Sequence, residues 1–337
     1  MRNIARIETV RAIRPIPKAD AIEVATIGGW NVVVKKEDAL QVGDPVVYIE
    51  IDAFLPEGNP AWQFLIDKQP RVWNGQTGHV LRTVTMRGQI SQGFCLRPHT
   101  LGLDPTLPVG TNVAATLGIQ KWEAPIPKEL EGLARGMYPS GIPKTDQERI
   151  QNLPDQLEQW QLEADEWEVS EKLEGASTTF AWLDDDLHVC SRAVDYLDAP
   201  DNTLWQVAHR LSVPETFAAH LRGRQLAFQG ELVGPGIEEN KYKLKDHRFY
   251  VYDVYDFQAG SYLAPQERYT LVAQLGLLHV PVQDTHYRLT ASNTMDTLLA
   301  RAVGPSVLLA TQTREGLVYK RLDGKASFKT ISNTYLK

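Results

Sequence analysis

The sequence predicts an α+β protein in two parts: a small all-β barrel or sandwich, then a larger domain of antiparallel sheets with flanking helices. Three observations predict it. In residues 1–118 short apolar runs recur (IARIETV, IEVATI, NVVV, PVVYIEI, VLRTVTM, GFCLR), separated by turn signals at Gly28-Gly29, Gly43-Asp44, Asn74-Gly75 and Gly88. No strand–helix alternation accompanies them, which argues against a parallel doubly wound sheet. From residue 166 onward, strand-like runs outnumber helix-like ones and follow one another in hairpin-like succession.

In chain order, PAWQFLID (Pro60–Asp67) reads as one short helical insert in the β part. Residues 119–165 form a linker. It is first Pro-rich (Pro125, Pro127, Pro139, Pro143), then acidic and helical around Thr145–Glu163, with Thr145 or Asp146 as N-cap and Glu148 reaching back to it. Residues 166–337 carry the strand-like runs WEVSEKL, STTFAWL, LHVCSR, QLAFQGELV, RFYVYDVYDF and GLVYKR. Helical patterns fall at Thr203–Leu211, Pro214–Leu221, Pro265–Leu275 and Ser292–Val303, with Gly223, Gly276 and Gly304 at C-cap positions. Trp160 and Trp167, at either side of the acidic stretch, read as packing anchors.

A length of 337 residues suits two domains at about 150 residues each. With 43% hydrophobic and 23% charged residues, the chain is neither disordered, collagen-like nor a coiled coil. There is no apolar run of the roughly 18 residues a membrane span needs. Charges interrupt every apolar stretch of MRNIARIETVRAIRP, so no secretory signal is expected there. Cys95 and Cys190 give neither a disulfide framework nor a zinc spacing, and a cytoplasmic location is expected. The net charge of −7 is unevenly placed: residues 145–168 hold eight acids and one base, whereas Arg314–Lys337 holds six Lys/Arg against two acids. Local patches of this kind, not the total, decide phosphate contacts.

The residues that carry chemistry begin with Ser170-Glu171-Lys172-Leu173-Glu174-Gly175. Lys172 ends an alternating strand pattern, and Gly175 permits a sharp turn after it. A lysine so held becomes a nitrogen nucleophile once its pKa falls, and the α-phosphorus of a nucleotide is a fitting target. An isolated K-x-x-G is more often a solvated lysine before a turn. Its company changes that reading. Arg192 closes LHVCSR and suits a phosphate or ribose edge. Glu231 follows in FQGELVG as a ribose-hydroxyl acceptor. Tyr252, in RFYVYDV, offers a face for base stacking. Glu315, in REGLVYKR, suits a divalent metal near phosphates. Lys329, in SFKTIS, neutralises α-phosphate charge. Each alone has an ordinary reading as surface charge, salt-bridge partner or core aromatic; the ordered set is far more specific.

That order resembles the covalent nucleotidyltransferase superfamily of ATP-dependent DNA ligases, RNA ligases and mRNA capping enzymes. Within it, three features resemble the Deinococcus–Naegleria type of ATP-dependent RNA ligase. These are the segment YPSGIPKTDQERIQNL (Tyr138–Leu153), the pair Glu171-Lys172 in an E-K-x-x-G motif, and a β domain with VVYIEIDAFLPEG and MRGQISQGF placed before the catalytic one. DNA ligases and capping enzymes place an OB domain after the catalytic domain, and here eight residues follow Lys329, so none is expected there. The resemblance covers nearly the whole chain. It implies an OB-like barrel at 1–118, a linker with an acidic helix at 119–165 and a nucleotidyltransferase domain at 166–337.

By the same resemblance, Lys172 is the adenylylated nucleophile and Glu171 reads the adenine amino group. Arg192 contacts ribose or RNA phosphate, Glu231 holds the ribose and sits near the metal, and Tyr252 stacks on adenine. Glu315 coordinates Mg²⁺ or Mn²⁺, and Lys329 binds the α-phosphate. Gly175 belongs to the nucleotide-binding motif. The usual K-x-K of the last motif is Ser327-Phe328-Lys329 here, which leaves open whether Lys325 or Lys320 adds a second charge. The implied reaction joins 3′-OH and 5′-phosphate ends with ATP as AMP donor. The implied partner is RNA or an RNA-containing nicked duplex, with no membrane and no obligate protein partner. DNA ligase, capping guanylyltransferase and a non-catalytic OB-type RNA-binding protein are the alternatives. Lys35, Lys36 and Arg87 are the candidate RNA contacts of the β domain, and the eight histidines show no metal spacing.

Overall fold

The computed structural model describes residues 3–122, 132–144 and 147–335. They fall into two compact units: residues up to 122 together with Ile150–Asp155, and the remainder.

In the first unit, the long strand Ala5–Pro15 is shared between two neighbours. Its first half pairs with Pro45–Ile49 and its second half with Ile22–Ile27, with a register shift between Val10 and Ala12. Such a bulge bends a strand and raises its twist, which lets one strand serve two sides of a barrel. Phe94–Leu96 and Trp30–Lys35 complete a five-stranded sheet. Gln92 N donates to Asn31 O and Val33 N to Ser91 Oγ, each at 2.9 Å, bringing the hairpin Val84–Met86/Gln89–Ser91 to the far edge. The run PVVYI is buried on both faces. Val46 and Tyr48 pack with Ile27, Trp30 and Val32, whereas Val47 and Ile49 pack with Ile7, Leu55 and Trp62. A strand covered on both sides reads as a continuous apolar run for that reason. The helical insert spans Gln63–Lys68; Trp62, fully buried just before it, donates Nε1 to Pro56 O at 2.8 Å.

The second unit is built from two sheets. In the larger, Ala134–Met137, Val194–Tyr196, Asp186–Cys190, Ala176–Leu183, Leu226–Val233, Arg248–Asp256 and Ser261–Tyr262 lie side by side, and Leu278–His279 joins Arg248–Asp256 in parallel. Its core (Phe180, Val189, Phe228, Phe249, Val251) is covered by Trp205, Phe217 and Val272 from the helices Thr203–Arg210, Val213–His220 and Pro265–Gln274. Asn202 caps the first of these, accepting from Leu204 N and Trp205 N. The helix Pro265–Gln274 ends at Gly276, whose φ of +69° and paired bonds (Gly276 N to Ala273 O, Leu277 N to Val272 O) form a Schellman motif. The smaller sheet orders Glu148–Arg149, Ser327–Ile331, Gly316–Arg321, Glu166–Lys172 and Val282–Arg288. Trp160, Trp167, Tyr319 and Phe328 stack on one face of it, so both tryptophans do anchor packing.

Three local expectations change. The linker helix begins at Pro154, because Glu148 is taken by a parallel pairing with Phe328 and Ile150–Asn152 forms a 3₁₀ turn; Thr145 and Asp146, the expected caps, lie outside the described residues. Gly304 is not a left-handed cap: it faces the Arg314 guanidinium, 3.0 Å from where a Cβ would stand. The strand LHVCSR ends at Cys190, which places Arg192 in the turn before Val194–Tyr196.

Candidate active site

Lys172 is the last residue of its strand and pairs with Gly316, the first residue of the next. Glu315 immediately precedes that glycine, and the register places Lys172 Nζ 2.7 Å from Glu315 Oε2. Their side chains are 26% and 16% exposed, so the ion pair is reachable from a cleft yet partly withdrawn from water. The cleft, about 310 Å³, is lined by Glu171, Lys172, Gly175, Arg192, Glu231, Tyr252 and Lys329, seven of the eight residues singled out in the sequence, along with Gln147, Ser177 and Lys320; the eighth, Glu315, is not among the lining residues and meets the cleft through its bond to Lys172. Both sheets of the second unit contribute. Glu231 comes from Leu226–Val233, opposite Ser177 and Tyr250; Lys329 comes from Ser327–Ile331, opposite Val318 and beside Arg149.

Burial pushes the Lys172 amine toward neutrality, but the carboxylates of Glu315 and Glu231 outweigh it, and the pKa is raised overall. The opposite holds for Glu231. Burial pushes its carboxyl up to about 7, further raised by Glu315, while Lys172 and Arg192 pull it down. The site therefore stores a lysine ammonium between two carboxylates, one of which titrates near neutrality.

Gly175 is required for a different reason than a sharp turn. A Cβ there would stand 2.3 Å from Leu232 O and 3.0 Å from Glu231 Cγ, so the bare backbone lets the loop lie against the Glu231 strand. Tyr252 owes its place to a bulge: Gln229 pairs with Asp253 and Gly230 with Val251, leaving Tyr252 as the extra residue. The phase shift shows in the core, where Phe249 and Val251 are followed by Val254 on the same face. Sequence reasoning left Lys320 open, and it lines the cleft. Gln147 and Arg149 were missed. They lie in the segment Tyr138–Leu153 that carries the family resemblance, and Arg149 acts on the Lys172 charge.

Among the described residues no group of three or more His, Cys, Asp or Glu is poised for a metal ion. Glu231 and Glu315 fit a hard cation that takes its remaining ligands from phosphate and water. Glu171 fits an amino donor: Oε2 accepts from Val307 N at 2.8 Å, and Oε1 is buried without a hydrogen-bond partner. An unpaired acceptor of that kind costs free energy until a donor arrives.

A strand-end lysine in a cleft lined by two largely antiparallel sheets, held by carboxylates and accompanied by Arg192, Lys320 and Lys329, is the arrangement of a covalent nucleotidyltransferase. An RNA ligase family model matches residues 165–331, and an OB-fold domain model matches residues 4–98. Among solved structures, a mutant of Naegleria gruberi RNA ligase with ATP and Mn is 41% identical, with a TM-score of 0.88 over 99% of this chain and 98% of that one. Another mutant of the same ligase, with AMP and Mn, is 41% identical with a TM-score of 0.89 over the same shares. The Naegleria ligase with PPi is 42% identical with a TM-score of 0.88, covering 100% of this chain and 98% of that one. The chain belongs to the RNA ligase family, with an N-terminal OB-fold domain. No curated protein matches it.

Proposed function

We propose that the protein is an ATP-dependent RNA ligase joining 3′-OH and 5′-phosphate ends of RNA or of an RNA-containing nicked duplex. Among the described residues no helix is long and apolar enough to cross a membrane; the reading places the enzyme in the cytoplasm, acting without an obligate protein partner. In the first step Lys172 Nζ, as the neutral amine, attacks the α-phosphorus of ATP and pyrophosphate leaves. In the second the AMP passes to a 5′-phosphate of RNA and the amine is restored. In the third a 3′-OH attacks that phosphate, AMP leaves and the phosphodiester forms.

Glu171 accepts the adenine amino group on its open oxygen, Tyr252 stacks on the base and Glu231 holds the ribose. Arg192 contacts ribose or RNA phosphate, and Lys329 neutralises the α-phosphate as charge builds on it. Glu315 and Glu231 would hold a Mg²⁺ or Mn²⁺ ion, which would supply further neutralisation of phosphate oxygens. The same two carboxylates hold Lys172 as the ammonium, so its attack as the amine requires their pull to be offset. The observation that carries this reading is Lys172, paired with Glu315 at 2.7 Å, lining a cleft that Arg192, Lys320 and Lys329 also line. The Naegleria relatives, bound to ATP, AMP or PPi, support it.

A sealing assay tests it. A nicked RNA duplex with a 5′-phosphate and 3′-OH should be joined only when ATP and metal are present, and not when the 5′-phosphate is missing. Equal joining without ATP would overturn the reading.

A further inference from the structure

Behind the cleft, a row of alternating charges is buried in the second unit. Lys320 Nζ donates to Tyr252 O at 2.6 Å and to Asp253 Oδ1 at 2.7 Å. Asp253 Oδ1 lies 3.6 Å from Arg268 Nη1, and Arg268 Nη2 bonds Glu168. Tyr269 OH donates to Glu168 as well, and Arg268 Nε meets His279 Nε2 at 3.0 Å. Exposure falls from 8% at Lys320 to 4% at Asp253, 2% at Arg268 and 1% at Glu168. Two cations and two carboxylates leave no net charge, which is the condition for burying them at all.

The row ends on the Tyr252 carbonyl. Tyr252 is the extra residue of the bulge, between Val251 paired with Gly230 and Asp253 paired with Gln229, and Lys320 donates to its carbonyl. Removing Arg268 leaves two buried carboxylates facing one lysine, and Lys320 is then drawn toward Asp253 and away from the Tyr252 carbonyl.

We propose that Arg268, which does not line the cleft, is a positioning residue for nucleotide binding: through Asp253 and Lys320 it fixes the Tyr252 bulge against the nucleobase. This rests on the reading of the cleft as an ATP site. The test is the ATP concentration dependence of self-adenylylation in the full chain. Arg268→Met should raise the half-saturating ATP concentration tenfold or more while the maximal rate changes less than threefold. Arg268→Lys, which keeps the charge but loses the guanidinium fork, should fall between. In a Tyr252→Ala background Arg268→Met should change half-saturation less than twofold, because the base contact it serves is already gone. Half-saturation within twofold of wild type, or the same fold increase in both backgrounds, overturns the proposal. If circular dichroism shows Arg268→Met unfolded, Tyr269→Phe, which removes one donor to Glu168, takes its place under the same two criteria. Wild-type protein that forms no lysyl-AMP at all would instead overturn the ATP reading.

Discussion

Lys172 is pulled two ways, by burial toward the amine and by Glu315 and Glu231 toward the ammonium. Glu315→Ala removes the nearer carboxylate and a candidate metal ligand. It should cost more than tenfold in self-adenylylation, about 1.4 kcal/mol or more at the barrier, and unchanged labelling across a Mg²⁺ titration would remove Glu315 from the site. Glu231 makes a pH prediction. Its folded pKa of about 7 lies above the unfolded 4.5, so between these values the folded state binds more protons. Stability of the nucleotide-free protein should therefore fall as pH rises through about 4.5 to about 7, by at most roughly 3 kcal/mol. Thermal unfolding at several pH values should show this slope in wild type and a flatter one in Glu231→Gln; identical slopes contradict it. The ordered motifs pointed to Glu171, Lys172, Gly175, Arg192, Glu231, Tyr252 and Lys329, which line one cleft; they stood out because each motif keeps a particular side chain in a fixed order along the chain. Glu168, Arg268 and His279 did not. An arginine in a short helix looks like surface charge until three elements bury it, and burial there holds His279 neutral, its pKa pushed down to about 3.

Close backbone approach sets the cleft at the level of elements. Gly175→Ala would drive a methyl into Leu232 O and the Glu231 side chain. Such overpacking costs about 1–3 kcal/mol, so a lower unfolding midpoint together with weaker adenylylation is expected. An unchanged midpoint and rate would show that the loop yields freely. Strands with strong alternation or two-sided burial were legible, as in Ile22–Ile27, Pro45–Ile49 and Gly316–Arg321. Val282–Arg288 (VQDTHYR) was not, because it is a sheet-edge strand whose side chains are largely exposed and polar, so no apolar pattern marks it. Ala134–Met137 and Arg71–Trp73 are too short to show a period.

At the scale of the whole molecule, the chain returns to its first unit after leaving it. Within that unit Asn152 accepts from Trp30 Nε1 and from Arg6 Nη2 and donates to Glu50 Oε2, while Gln151 O accepts from Gly29 N. Asn152→Ala should therefore cost about 1–3 kcal/mol in urea unfolding, and an unshifted midpoint would contradict this network. A protein of residues 119–337 keeps every cleft residue but removes these partners of Gln151 and Asn152. It should adenylylate itself more slowly than the full chain and seal poorly, and equal rates in both reactions would refute that. The two-part division was legible from the change in strand pattern, whereas the return of Ile150–Asp155 was not, since six residues with no strand or helix period show no sign of where they pack. The central claim is that Lys172 becomes covalently bound to AMP. Incubation with α-labelled ATP and Mg²⁺ or Mn²⁺, followed by a denaturing gel, tests it most directly. Wild type should retain an acid-labile, base-stable label and Lys172→Ala none; an alanine variant that labels as well as wild type would contradict the account.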